Sequence, residues 1–508
     1  MDDARVFALL APDWAPLASY LKASDVTARL AAHAIDTSKA SLFAAAAKRL
    51  EDEGVALSVR VAAFWVPGRV EVLGKHTDYA GGRSVLGAVN RGFAVVVAER
   101  GDALLRLFAS FALAGGHASA EVPLVPATSE PPPSGWATYP TVAARRLARN
   151  FELRRGFDLA LECDLPEASG MSTSSAVVCL TFLALGSCNG LAAHAEFRRL
   201  LPTAEDLCCY LGCLENGQDY GPSLPGDAGV GTFGGSEDHT AIMMCEPHAL
   251  RLYGFCPTRL ERSLAFPAEL RFVIAVSGAT ARKGEERLAD YNNAALLARW
   301  AAHAATAAAG QHRSGTSGTS GMNSAAPPRL ADVVRTTASS LDLRPDDPAV
   351  RDAVLDLIRP SDNGSQYGIH GPQPKPGEAF AAGALATRFE QYYEEVELII
   401  PAFADALAAG DWVTLGALTA RSHALTCSHL KNTVDETEWL PAAAVKLGAL
   451  AASAFGAGFG GSCWAIIEAR KATALCASWE SAYLEAFPER RGVASFFAMS
   501  PGSGACSL

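Results

Sequence analysis

The sequence predicts a mixed α and β protein built from more than one domain, and three observations lead there. Its 508 residues allow two to four domains at roughly 150 residues each. With 49% hydrophobic and 19% charged residues, the chain has the balance of one that buries real cores, which excludes wholesale disorder and a disulfide-stapled miniature. Strand-like and helical stretches follow one another along it, and the pattern changes near residue 245.

The elements follow in order. Residues 1–60 are Ala-rich and read mainly as helix, with Ser38 to Leu50 the clearest amphipathic stretch. The run Val59 to Val66 is strand-like, Pro67 and Gly68 break it, and Phe93 to Glu99 is a second β-branched run. A loop rich in Pro and Ser spans Pro126 to Gly135, followed by a helix over Thr141 to Phe151 and a strand over Phe157 to Cys163. A polar turn then leads straight into an apolar helix near Ser174. Apolar periodicity weakens over 246–270, before a strand at Leu270 to Val276, which divides the chain into domains at 1–245 and 246–508.

The stretch from Gln311 to Pro328 has almost no large apolar residue and too little to bury to offset its ordering entropy, so it is expected to be a mobile surface insertion. Pro360 to Pro376 is expected to be a second long loop. The rest of the second half reads as helix until Gly456, where a Gly-rich turn hands over to a strand at Ser462 to Glu468.

Several functional classes are excluded. The longest nearly uncharged apolar runs, such as Ala176 to Leu185, fall short of the roughly 18 to 20 residues needed to cross a bilayer. No membrane partner is expected. The N-terminal Met-Asp-Asp-Ala-Arg lacks the basic start and apolar stretch of a signal peptide, so a cytoplasmic location is expected. A net charge of −11 repels phosphate backbones, and nucleic acid is not expected as a partner, although a local anion pocket stays compatible with it. The twelve cysteines show no Cys-x-x-Cys spacing and read as reduced, largely buried thiols.

Three motifs carry chemistry. The run Gly170-Met-Ser-Thr-Ser-Ser-Ala places small hydroxyl residues at the start of a helix, where unpaired N–H groups and the helix dipole suit a phosphate. An ordinary Ser/Thr N-cap reads the same way. The run Pro67-Gly-Arg-Val-Glu-Val-Leu-Gly-Lys-His-Thr-Asp-Tyr-Ala-Gly-Gly82 crowds Lys75, His76 and Asp78 into one short loop after Arg69, as a ligand-orienting surface does and as a solvated hairpin with a local Lys/Asp pair also does. The run Gly229 to His239, preceded by Glu215, presents Asp238 on a glycine-lined approach, suited to a general base or to a plain N-cap.

Together with Gly456-Ala-Gly-Phe-Gly-Gly461, these segments follow the order and approximate spacing of the galactokinase branch of the GHMP small-molecule kinases, which the chain resembles over nearly its whole length. The family's Gly-Arg-Val-Asn-Leu-Ile-Gly-Glu-His-Thr-Asp-Tyr signature is altered here at Glu71, Val72, Leu73 and Lys75. The serine-rich turn and the Gly-Gly-x-x-Asp segment are similar to the form in N-acetylgalactosamine kinases as much as in galactokinases.

The resemblance implies two α+β domains with the active site in the interdomain cleft. It implies Asp238 as the catalytic aspartate with Arg69 beside it, and sugar-facing positions at Lys75, His76, Asp78, Gly235 and Tyr291. The nucleotide phosphates would lie on Gly170, Ser172, Thr173, Ser174 and Ser175, and Mg²⁺ near Ser174 and Glu215, although Asp219 to Gly229 looks like an insertion after that glutamate. ATP and Mg²⁺ are the implied cofactors, and the assembly a monomer or weak homo-oligomer. The implied activity is phosphorylation of the C1 hydroxyl of a galactose-like sugar. Lys75 stands where the family has a glutamate, which points to a non-galactose or acidic substrate, the alternative being that Lys75 turns away to pair with Asp78 or another carboxylate and the sugar is ordinary. The family's Arg and Thr before the C-terminal glycine turn are replaced by Ser453 and Phe455. A catalytically silent sugar-binding sensor on the same fold is the alternative, and the presence of Ser174, Ser175, Ala176 and Asp238 argues for the enzyme.

Overall fold

A computed structural model describes residues 2–111, 116–126, 130–166, 169–279, 285–313, 327–362 and 380–508. The two long stretches expected as an insertion and a loop, 311–328 and 360–376, lie largely outside the described residues.

In chain order the strands are β1 (Ala15–Pro16), β2 (Arg60–Leu73), β3 (Arg83–Glu99), β4 (Leu104–Phe111), β5 (Gly116–Pro123), β6 (Phe157–Cys163), β7 (Ala249–Gly254), β8 (Arg259–Ala265), β9 (Leu270–Val276), β10 (Ala451–Phe455), β11 (Ser462–Glu468), β12 (Ser495–Met499) and β13 (Cys506–Ser507). Among the described residues they form two sheets. The first runs β1-β2-β3-β6-β4-β5, with β13 on β2 and the β7–β8 hairpin on β3, and the second runs β10-β11-β9-β12. Only the β4–β6 pairing is parallel among these. Helices pack on both sheets, giving a two-domain α+β architecture. The first sheet takes strands from beyond residue 245, because Arg83 to Leu86 of β3 pair with Arg251 to Gly254 of β7.

The expected break at Pro67 and Gly68 is corrected by the structure. β2 runs through both residues from 60 to 73, and its ladder with β3 shifts register between Pro67 and Arg69. Proline lacks the N–H that a regular ladder needs, so a bulge is where a sheet tolerates it. Opposite it, a Cβ on Gly92 would lie 2.4 Å from the Val66 carbonyl oxygen, so only glycine lets the strands approach this closely.

The second sheet shows the period-2 logic of a strand buried on both faces. Phe272, Ile274 and Val276 of β9 belong to the main core, whereas Val273 and Ala275 pack with Trp479 and Tyr483 on the other side. The Thr173–Cys188 helix is apolar all round and almost wholly buried, from Ser175 to Gly186, as expected of a helix inserted between layers. Its N-terminus opens into the cleft between the two sheets.

Candidate active site

Arg69 and Asp238 meet at the floor of this cleft. The β2 bulge turns Arg69 inward, where it is 4% exposed. Its Nε donates to Asp238 Oδ1 at 2.7 Å and its Nη1 donates to the Gly170 carbonyl at 2.5 Å. Asp238 stands in the first turn of the Glu237–Met244 helix. Burial pushes its carboxyl up, but the Arg69 guanidinium, a hydrogen bond from Ser172 and His239 outweigh it and leave Asp238 below the usual carboxylate range. The aspartate therefore stays ionised at neutral pH.

The serine turn faces this carboxylate. Gly170 and Ser172 adopt φ of 68° and 59°, the left-handed turn that lets the chain enter the helix at Thr173. Ser175 Oγ lies 3.4 Å from Asp238 Oδ2. The glycine turn between β10 and β11 closes on this segment from the second sheet. Ser462 Oγ donates to the Ser169 carbonyl at 2.6 Å, and a Cβ on Gly456 would lie 2.8 Å from the Gly170 carbonyl oxygen. Close backbone approach explains a glycine at 456, where φ is 84°.

A cavity of about 480 Å³ opens between these turns, within the range of small-molecule sites. Gly170, Ser172, Thr173, Ser174 and Ser175 line it, as do Arg69, His76, Asp78, Glu215, Gly235, Asp238 and Tyr291. His76 is held by Tyr79 OH at Nδ1, 3.0 Å, and by the Ala457 carbonyl at Nε2, 3.1 Å. A carbonyl only accepts, so Nε2 carries the proton and Nδ1 accepts from the tyrosine. Burial and the nearby Arg388 guanidinium push His76 down to about 4, so its ring is neutral. Asp78 is raised by burial, and its Oδ2 accepts from the Glu237 N–H at 3.3 Å. Tyr291 meets Phe459 edge-on, with ring centroids 5.4 Å apart.

Lys75 is the one predicted sugar-facing residue that the structure does not bring to the cavity. It is 1% exposed, and its Nζ donates to Ser453 Oγ at 3.0 Å. Other residues shape the site without a signal in the sequence. Arg388 Nη2 donates to the His76 carbonyl, Gln391 Nε2 donates to the Lys75 carbonyl at 3.3 Å, and the Gly74 N–H donates to Glu395 Oε1 at 2.9 Å. The helix beginning at Ala384 thus clamps the back of the 74–82 loop. Asn216 Oδ1 accepts from the Gly234 N–H at 2.9 Å and from Thr232 Oγ1 at 2.8 Å, which fixes the glycine approach to Asp238. Glu71 and Glu237 also line the cavity.

For a hard divalent cation the donor set is Ser174 and Glu215. Glu215 ends the Ala204–Glu215 helix, and its Oε2 lies 2.8 Å from His239 Nε2. No cluster of three or more His, Cys, Asp or Glu side chains able to hold a metal occurs among the described residues. A hydroxyl with one carboxylate fits Mg²⁺, which usually keeps waters and binds through substrate phosphates as well.

The galactokinase galactose-binding signature matches residues 58–99, the GHMP kinases N terminal domain residues 138–220, and the GHMP kinases C terminal domain residues 403–486. Galactokinase from Bacillus subtilis is 31% identical over 125 residues, 24% of this chain and 31% of that protein. Galactokinase from Lactiplantibacillus plantarum is 29% identical over 125 residues, 24% of this chain and 32% of that one. The matched stretch is thus about a third of each relative's length. Lactococcus lactis galactokinase complexed with galactose superposes with a TM-score of 0.61 at 22% identity, over 88% of this chain and 95% of that structure. The fold is that of the GHMP kinases. The chain carries the galactose-binding signature of galactokinases together with the N- and C-terminal domain models of the GHMP kinases, and so is similar to the galactokinase branch of that superfamily.

Proposed function

We propose that the chain is an ATP-dependent sugar kinase that transfers the γ-phosphoryl group to the C1 hydroxyl of a galactose-like sugar. The observation that carries this reading is the 2.7 Å pairing of Arg69 with Asp238 on the wall of a cavity whose other side is the Gly170–Ser175 turn. An ionised carboxylate and an anion-ready helix start in one enclosure are what phosphoryl transfer needs, because the rate comes from alignment and charge neutralisation.

In this reading Asp238 orients the C1 hydroxyl and accepts its proton, a contribution of about 10² to 10⁴-fold. Arg69 keeps the aspartate ionised and, through the Gly170 carbonyl, ties it to the phosphate turn. The N–H groups at Thr173 to Ser175 seat phosphate oxygens. His76, Asp78, the Gly235 backbone and Tyr291 surround the sugar. Ser174 and Glu215 would hold Mg²⁺, which when bound would supply charge neutralisation for the transferring phosphoryl group.

Lys75 does not support an acidic substrate, since it is buried outside the cavity lining with its ammonium turned to Ser453. A neutral sugar is the better fit to a wall that also presents Glu71, Asp78, Glu237 and Asp238. The test is ADP release from Mg-ATP with a panel of free sugars and uronic acids. Turnover with a neutral galactose-type sugar is the expected result, and absence of turnover with every sugar, despite measurable sugar binding, would favour the silent sensor.

No helix among the described residues is long and apolar enough to cross a membrane. We place the enzyme in the cytoplasm as a monomer or weak homo-oligomer.

A further inference from the structure

Glu71 and Glu237 form a buried acid pair that the proposed chemistry leaves unused. Glu71 is two residues beyond Arg69 on β2 and so shares its face of the strand. It is 3% exposed and Glu237 is 6% exposed. Glu237 Oε2 accepts from Ser84 Oγ of β3 at 2.6 Å, and its Oε1 lies 4.0 Å from Arg69 Nε. Glu71 Oε1 is buried, and no hydrogen-bond donor reaches it among the described residues. The galactokinase signature has an asparagine at this position, which can donate where a carboxylate cannot.

The charged groups around the pair do not balance if all are ionised. Arg69 and Lys75 face Glu71, Glu237, Asp78 and Asp238, so two cations stand against four carboxyls. Burial and then the neighbouring carboxyl push Glu237 far above the usual carboxylate range, and burial pushes Glu71 up despite Lys75 and Arg69. Two carboxyls in hydrogen-bond contact out of water keep a proton between them, because the doubly ionised form is repulsive and unsolvated. A proton on Glu237 pointing to Glu71 supplies the donor that its carboxylate lacks.

We propose that Glu71 and Glu237 share one proton, and that this keeps Arg69 committed to Asp238. An ionised Glu237 would be a second anion 4.0 Å from the same Nε that reaches Asp238 at 2.7 Å. It would draw the guanidinium away from the base. Glu71 and Glu237 are therefore positioning residues that act through Arg69. The kinetic part of this inference rests on the sugar-kinase reading; the shared proton does not.

The test has two arms. Infrared spectra of the ligand-free protein at pH 7 in D₂O report protonated carboxyls directly. Glu237→Gln, or Glu237→Met should the amide variant misfold, is expected to remove one protonated-carboxyl C=O band, and Glu71→Gln to convert that band to ionised carboxylate. A wild-type spectrum that loses only ionised carboxylate on Glu237→Gln overturns the shared proton, whether or not the chain phosphorylates anything. In the kinetic arm, kcat of Glu71→Gln is expected to fall about tenfold, with the sugar KM nearly unchanged, because Glu237 now ionises beside Arg69. Adding Glu237→Gln should restore kcat to within about threefold of wild type. Losses that simply accumulate in the double variant would mean that the pair only packs, and would overturn the link to Arg69.

Discussion

Lys75 Nζ and Ser453 Oγ are hydrogen-bonded at 3.0 Å, and they are two of the positions at which this chain departs from the galactokinase pattern. The glutamate of that pattern is a lysine here, and the arginine before the C-terminal glycine turn is a serine. Both departures thus meet in one hydrogen bond between β10 and the 74–82 loop. Lysine contributes its charge to Glu71, one of whose strongest stabilising neighbours it is, rather than to a substrate.

A sugar-specificity prediction follows from this. The cavity wall carries Glu71, Asp78, Glu237 and Asp238, and its arginine is already bound to Asp238 and the Gly170 carbonyl. A uronate carboxylate placed there meets like charge with no free cation on the wall among the described residues. Galactose is expected to exceed galacturonate in kcat/KM by at least roughly tenfold, about 1.4 kcal/mol in transition-state free energy. Galacturonate equal to or better than galactose would mean that Lys75 reaches the substrate after all.

Asp238→Asn should lower kcat by about 10² to 10⁴-fold while sugar affinity stays within a few-fold, because the amide keeps the shape but cannot accept the proton. Single-turnover rates with saturating Mg-ATP, together with sugar binding by calorimetry, separate the two. Retention of more than about a tenth of wild-type kcat would remove Asp238 from the role of base.

Much of the site is legible in the chain because it is local. Arg69 lies near the end of β2, a few residues before the short loop that carries His76 and Asp78, and the serine turn announces itself by small hydroxyls before an apolar run. The direction of Lys75 is not legible, since it depends on Ser453, 378 positions away. The clamp by Arg388, Gln391 and Glu395 is hidden for the same reason, as these residues sit in helices whose own pattern speaks only of burial. Pro67 and Gly68 mislead because a bulge and a strand end have the same composition, and only the partner strand with Gly92 decides between them. The hairpin at 249–265 escapes notice because Arg259 to Ala265 alternates with few large apolar residues on an exposed edge.

Gly235→Ala tests the closeness of the glycine approach. A Cβ there would lie 2.3 Å from Asp78 Oδ2 and 2.7 Å from its Cγ, so the carboxylate must rotate out of its place beside the sugar site. The cost in stability is expected at about 1 to 3 kcal/mol, typical of an added carbon in a packed site. The sugar KM should rise about tenfold while the KM for ATP changes little. An unaltered sugar KM would show that Asp78 does not touch the sugar.

The last prediction concerns pH and His76. Its ring is pushed down to about 4 by burial and then by Arg388, against about 6.5 in the unfolded chain. Between these values the unfolded chain binds a proton that the folded protein does not, so stability rises with pH in this window. The contribution is complete above about pH 6.5 and is lost as pH falls toward 4. His423, also pushed down to about 4 by burial, adds a parallel slope, so the wild type alone cannot assign the effect. Replacing His76 by glutamine retains an amide N–H for the Ala457 carbonyl and removes the titration. The wild-type unfolding free energy is expected to drop between pH 6.5 and 4.5 by on the order of 1 to 3 kcal/mol more than that of His76→Gln. Denaturant titrations at four or five pH values supply the comparison, and parallel curves for the two proteins would mean that His76 gains its proton in the folded state as readily as in the unfolded one.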